Sequence, residues 1–294
     1  MRTFRMMRTS TFRASLGALF GLALLAASAA GAATCNGLTC TIEGNSLDNT
    51  LNGTSGDDVI CGLQGNDTIF AGGGNDTICG GLGNDEIHGE FGNDLIMGEP
   101  GADTCDGGVG SDTVKFQSAT TADLSLGTAN DGGGVDTLTA IENLTGSPDA
   151  DSLTGDSGNN TLDGQNGADT LVGGGGNDIL VGRLGNDLLT GGPGADSLDG
   201  GDGSDYAIYT SAINASLTTG SASDGDSLSH IENLQGSVSG DVLEGDGNAN
   251  TLLGGPGNDV LDGQGGTDTC DGGPNPFSGG DSCSNCETAL SCEG

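Results

Sequence analysis

The sequence predicts an all-β fold, a parallel solenoid of very short strands, on three observations. A nine-residue pattern, Gly-x-x-Gly-(Asn/Asp/Ala)-Asp-x-(Ile/Leu/Val)-x, holds phase through most of the chain. One apolar residue recurs in each nine, a period that is no multiple of the helical 3.6, and the glycines would break a helix. Sixty of the 294 residues are glycine, against seven Phe, two Tyr and no Trp, so there is no material for a broad aromatic core.

The elements follow in chain order. Arg2, Arg5, Arg8 and Arg13 precede an apolar run from Leu16 to Ala30, and Ala30-Gly31-Ala32 has the small-x-small form of a cleavage site. A signal peptide over residues 1–32 is therefore expected, which places the mature chain outside the cell. The alternative is a membrane anchor, for which the run is short and rich in Ala and Gly. No other segment is suited to membrane insertion. Residues 33–43 read as an N-terminal cap.

Three repeat blocks follow, over residues 44–115, 146–208 and 236–271. The sixth position is Asp58, Asp67, Asp76, Asp85, Asp94, Asp103 and Asp112 in the first, with Asn49 one step upstream. In the second it is Asp151, Asn160, Asp169, Asp178, Asp187, Asp196 and Asp205, and in the third Asp241, Asn250, Asp259 and Asp268. The eighth position runs from Ile60 to Ile96 as isoleucine and from Leu153 onward mostly as leucine, one inward side chain per short strand. Two degenerate segments, 116–145 and 209–235, separate the blocks. Ile141-Glu142-Asn143-Leu144 returns as Ile231-Glu232-Asn233-Leu234, and Asp136-Thr137-Leu138 as Asp226-Ser227-Leu228. The expectation is degenerate turns of the same solenoid carrying an outward loop, since neither segment is apolar enough to fold alone. Residues 272–294 read as a cysteine-containing C-terminal cap.

The formal net charge is −36, from 42 acidic and six basic residues, which excludes nucleic acid and anionic membranes as partners. Such a chain is either a disordered polyacid or one neutralised by cations. Turn formation alone explains Asp and Gly together, but not an aspartate held at one position of nine. Glycines at positions one and four permit the tight turn that aims carbonyls at one point, and the aspartate adds a hard anionic oxygen. Ca²⁺ takes six to eight such oxygens.

The repeat resembles the hemolysin-type, or RTX, calcium-binding nonapeptide. The resemblance implies a right-handed parallel β-roll of GGxGxDxUx repeats, two to a coil, with residues 18 apart stacked in adjacent rungs and multiple Ca²⁺ ions between them. One column of ligands would hold Asp58, Asp76, Asp94 and Asp112, the other Asp67, Asp85 and Asp103. Asp151, Asp169, Asp187 and Asp205 would line one edge of the second block, Asp178 and Asp196 the other, with Asp241, Asp259 and Asp268 in the third. These pairings give about ten sites, weaker where Asn49, Asn160 or Asn250 takes part. Folding would then wait for the calcium met on export, since ligand binding supplies folding free energy.

Nine cysteines on an exported chain imply disulfides and at least one thiol left unpaired or pairing outside the chain. The family geometry puts Cys61 and Cys79 on one outer face of adjacent rungs, and implies a bridge between them. Cys35 and Cys40 would close a loop in the N-terminal cap, Cys105 and Cys270 would be small core residues, and Cys283-x-x-Cys286 with Cys292 would staple the C-terminal cap. His88 reads as solvent-facing. No H-E-x-x-H or G-x-S-x-G motif occurs, and the repeats leave no room for a catalytic domain. The chain reads as a non-enzymatic, secreted, structural or cell-surface-associated calcium-binding protein with an unidentified surface or matrix partner. The alternative is an extracellular adhesin or an accessory chain of a toxin or hydrolase system.

Overall fold

A computed structural model describes residues 33–274 and 280–292. The signal-peptide reading of residues 1–32 lies outside them, as do residues 275–279 of the expected C-terminal cap. The described residues are strands and turns throughout, and no helix among them is long and apolar enough to cross a membrane.

The strands are mostly three residues long, because each nonapeptide spends six residues on a glycine-rich turn. Alternate strands go to two sheets of 15 strands each. Within each sheet the ladder is parallel and in register every 18 residues, as in Ile60↔Ile78↔Ile96 and Leu153↔Leu171↔Leu189. Two repeats per coil is thus the geometry of the protein. Position eight points inward from both sheets, so the core is two facing columns of single side chains. Ile60, Ile69, Ile78, Ile87 and Ile96, then Leu144 through Leu189, are fully buried. Burying each Ile or Leu stabilises the fold by about 1.5–3 kcal/mol.

The degenerate segments depart from the expected outward loop. In the first, Thr121–Asp123, Thr128–Asn130 and Asp136–Thr139 form a meander inside one sheet. Its outer strands continue the parallel ladder to Ser152–Thr154 and Thr104–Asp106, and the middle strand runs antiparallel to both. Asn214–Ser216, Ser221–Ala222 and Ser227–Ser229 repeat the arrangement in the opposite sheet. A strand edge left open by a lost repeat must be paired, and the reversed strand does that. Small Ala122, Ala129 and Ala215 take the inward positions, while Phe116 and Tyr209 are buried beside them.

The disulfides differ from the expected set. Cys61 and Cys79 are in-register neighbours, but their side chains leave the ladder in parallel and do not meet each other. The hairpin Thr34–Cys35/Leu38–Thr39 lies over them instead, giving Cys35–Cys79 and Cys40–Cys61 with Cα separations of 5.7 and 6.0 Å. Cys35 and Cys40 therefore do not bridge each other. With Met97 the bridged cysteines form a second small core, so position nine is buried here. At the other end Cys270–Cys286 and Cys283–Cys292 pin two added strands, Ser282–Ser284 and Thr288–Leu290. Cys270 is inward as expected but bridged, and Cys283 and Cys286 are not joined to each other. Cys105 is the unpaired thiol, fully inside the core, where burial pushes its pKa up and makes it inert. His88 is half-covered, its ring stacked on Phe70 at 4.9 Å between centroids.

Candidate metal sites

Most turns between strands carry the same set of bonds. The position-six carboxylate turns under its own loop, and its Oδ1 accepts from the backbone N–H of position six one coil earlier. Asp67 N–H donates to Asp85 Oδ1 at 2.7 Å, Asp85 to Asp103 at 2.8 Å and Asp103 to Asp136 at 2.9 Å. On the other edge Asp58 donates to Asp76, Asp76 to Asp94 and Asp94 to Asp112. The second block continues with Asp151→Asp169→Asp187→Asp205 and Asn160→Asp178→Asp196→Asp226, the third with Asp241→Asp259→Asp281 and Asn250→Asp268. Position five bonds in the opposite sense, as where Asn84 N–H donates to Asn66 Oδ1. Each turn is thereby tied to both neighbours.

The second oxygen is the unusual atom. Oδ2 of Asp67, Asp76, Asp85, Asp94, Asp103, Asp112, Asp169, Asp178, Asp187, Asp196, Asp205, Asp259, Asp268 and Asp281 is buried with no hydrogen-bond partner. A buried, unpaired carboxylate oxygen carries a large desolvation cost. None of the side-chain ion pairs among the described residues reaches these aspartates. The pKa values of Asp67, Asp76, Asp85, Asp94, Asp103, Asp112, Asp169, Asp178, Asp187, Asp196, Asp205 and Asp259 rise accordingly, chiefly from burial, against the lowering effect of the Oδ1 bond; like-charged neighbours add to the rise in all of them but Asp187. Asp85, Asp94 and Asp205 are raised to about 6, Asp103 and Asp169 to about 7.

What is missing around Oδ2 is positive charge. A Cβ added to position-one Gly80 would lie 2.5 Å from Asp85 Oδ2 and 2.9 Å from the Gly98 carbonyl oxygen of the next coil. The glycine leaves open the point on which a carboxylate and a backbone carbonyl converge. Among the described residues no three acidic, His or Cys side chains cluster as a metal-binding group, so an ion here draws on backbone carbonyls too. Hard oxygens of this mixture, with no nitrogen or sulfur among them, suit Ca²⁺. Thirteen of the sixteen aspartates named from the sequence carry an unpartnered Oδ2. In the other three, Asp58, Asp151 and Asp241, Oδ2 accepts from the N–H of Thr54, Ser147 and Ser237.

Six acidic residues in the columns escaped the nonapeptide pattern. Asp136 and Asp226 continue one step into each degenerate segment. Glu142 and Glu232 follow, their Oε2 accepting from Asp112 and Asp205 N–H at 2.8 and 2.9 Å. Asp281 and Glu287 do the same at the C-terminal end. The repeated Asp-x-Leu and Ile-Glu-Asn-Leu strings carried the signal, since both keep an acid just ahead of an inward leucine.

A two-edged parallel solenoid with converging carboxylate and carbonyl oxygens in most of its turns is the architecture of a protein built around divalent cations. The family model for the RTX calcium-binding nonapeptide repeat matches residues 43–78, 80–114, 145–180, 172–207 and 233–274, and the chain belongs to that family. It is a calcium-binding β-roll protein. No curated protein matches the chain.

Proposed function

We propose that this chain is an exported structural protein, working at a cell surface or in the surrounding matrix, whose folding is completed by Ca²⁺. The single observation behind the reading is the row of buried Oδ2 atoms that no group of the protein neutralises. Without a cation the ladder stacks carboxylates about 4.8 Å apart in a poorly solvated edge. With Ca²⁺ bound, the Oδ2 of each of those aspartates and the position-one carbonyl of the next coil would hold the ion, which supplies the missing charge. The arg-rich leader, the apolar run after it and the four disulfides support export. Repeats and their two degenerate segments make up nearly all of the described chain, in keeping with a structural rather than catalytic role.

The test is far-UV circular dichroism of the mature chain in chelator, titrated with Ca²⁺ and separately with Mg²⁺. A strand signal that grows with Ca²⁺ and stays low with Mg²⁺ is expected, because Mg²⁺ holds its water and demands six ligands in a tight octahedron. A chain fully folded in chelator and indifferent to Ca²⁺ would defeat the coupling.

A further inference from the structure

Each repeat block opens on turns that differ from the rest in one dihedral. Thirteen of the aspartates with an unpartnered Oδ2 sit four residues after a position-two residue with positive φ. These are Gly72, Gly81, Gly108, Gly174, Gly192, Gly201 and Gly255, and, with side chains, Leu63, Glu90, Glu99, Gln165, Arg183 and Gln264. Positive φ turns the position-two N–H away from the carboxylate.

At six turns position two stays outside that region, and these are the first two turns of every block. Their position-two residues are Asn45 and Thr54, Ser147 and Asp156, Ser237 and Asp246. In each, the N–H donates to the side chain four residues on: Asn45 to Asn49, Thr54 to Asp58, Ser147 to Asp151, Asp156 to Asn160, Ser237 to Asp241 and Asp246 to Asn250, at 2.6–2.8 Å. The reason is local. Each of the six carries a short polar side chain whose oxygen accepts from the N–H two residues later, as from Gly158 to Asp156 Oδ1 at 2.6 Å and from Ser239 to Ser237 Oγ at 3.0 Å. That turn holds the residue out of the left-handed region. Thr54, Ser147 and Ser237 add a hydroxyl to the same carboxylate. At Asn160 and Asn250 the Nδ2 is also satisfied, by Glu142 O and Glu232 O respectively.

We infer that position two decides whether a turn takes a calcium ion, and that each block therefore begins with one complete coil that closes without calcium. The inference rests on the calcium reading above and refines it. A backbone N–H in these six turns occupies the oxygen that elsewhere awaits the ion. Asp58, Asp151 and Asp241 are on this basis poor ligands although they match the nonapeptide, and the three opening coils are surfaces on which calcium-loaded coils can stack.

The test is equilibrium dialysis of the mature, disulfide-bonded chain against ⁴⁵Ca²⁺ at saturation, counting ions per molecule. S147G and S237G remove the side-chain turn and free position two for positive φ, and each is expected to add about one ion. Q165S installs such a turn ahead of Asp169 and is expected to lose about one, while Q165A, with no acceptor, keeps the wild-type count. Circular dichroism at saturating Ca²⁺ checks that each variant is folded, and the Q165S and Q165A pair decides the matter if the glycine variants are not. A wild type that binds calcium with an unchanged count in S147G, S237G and Q165S overturns the rule alone. A wild type that binds none overturns the calcium reading with it.

Discussion

An aspartate that is buried on one oxygen and bonded on the other has two ways to be stable, a cation or a proton. Burial holds Asp85, Asp94 and Asp205 at about 6 and Asp103 and Asp169 at about 7, above their ordinary value of 3.8. A group raised in the folded state favours folding in full below its unfolded pKa, and that contribution is lost as pH rises through the folded value. The ion-free fold should therefore gain stability as pH falls from about 7 toward about 4. Circular dichroism in a chelator effective at both values should show more strand at pH 5 than at pH 8, and Ca²⁺ at pH 8 should restore the same spectrum. Less structure at pH 5 would contradict the account. Replacing one carboxylate separates the two roles. Asp85→Asn keeps an oxygen for the Asp67 N–H bond of 2.7 Å but removes the charge. It should weaken the calcium-loaded form by about 1–3 kcal/mol and strengthen the ion-free one, measured as opposite shifts in urea midpoint with and without Ca²⁺.

At the scale of elements, each strand is a single inward side chain with two flanking residues, so its contribution is local. Leu171 is fully buried between Leu153 and Leu189. Leu171→Ala should cost about 2–5 kcal/mol in the calcium-loaded form, with little room for collapse because the backbone ladder fixes the rungs. The terminal hairpin is a different element, held by two covalent links rather than by its own hydrogen bonds. Removing Cys35 and Cys40 together should loosen the first coils by about 2–4 kcal/mol. Hydrogen exchange should register that change in residues 44–79 and leave the strands from Ser152 to Thr190 unaffected. A uniform loss along the chain would show more cooperativity than nearest-neighbour stacking allows.

Across the whole molecule the two degenerate segments balance each other. Each inserts a reversed strand and one extra parallel partner into one sheet, the first into one and the second into the other, leaving both sheets with 15 strands. A purely additive solenoid needs closed ends, and here the disulfide-linked hairpin and the two C-terminal strands supply them.

Spacing within one nonapeptide was enough for the period, the all-β class, the inward row and one carboxylate per repeat, whereas the sorting of those carboxylates into two columns was implied by the family resemblance and is seen in the 18-residue register of the ladders. Glu142, Glu232 and Glu287 were not readable as column members, since a glutamate in a degenerate string has no fixed phase until the chain folds back to place it. The disulfide pairs belonged to the tertiary structure for the same reason. Cys61 and Cys79 are neighbours along the ladder, yet the closer approach is to a hairpin whose path over the outer face no spacing encodes. Which aspartates keep a free oxygen was likewise decided in three dimensions, by the direction of one backbone N–H, although the short polar residue that turns it stands in the sequence at position two.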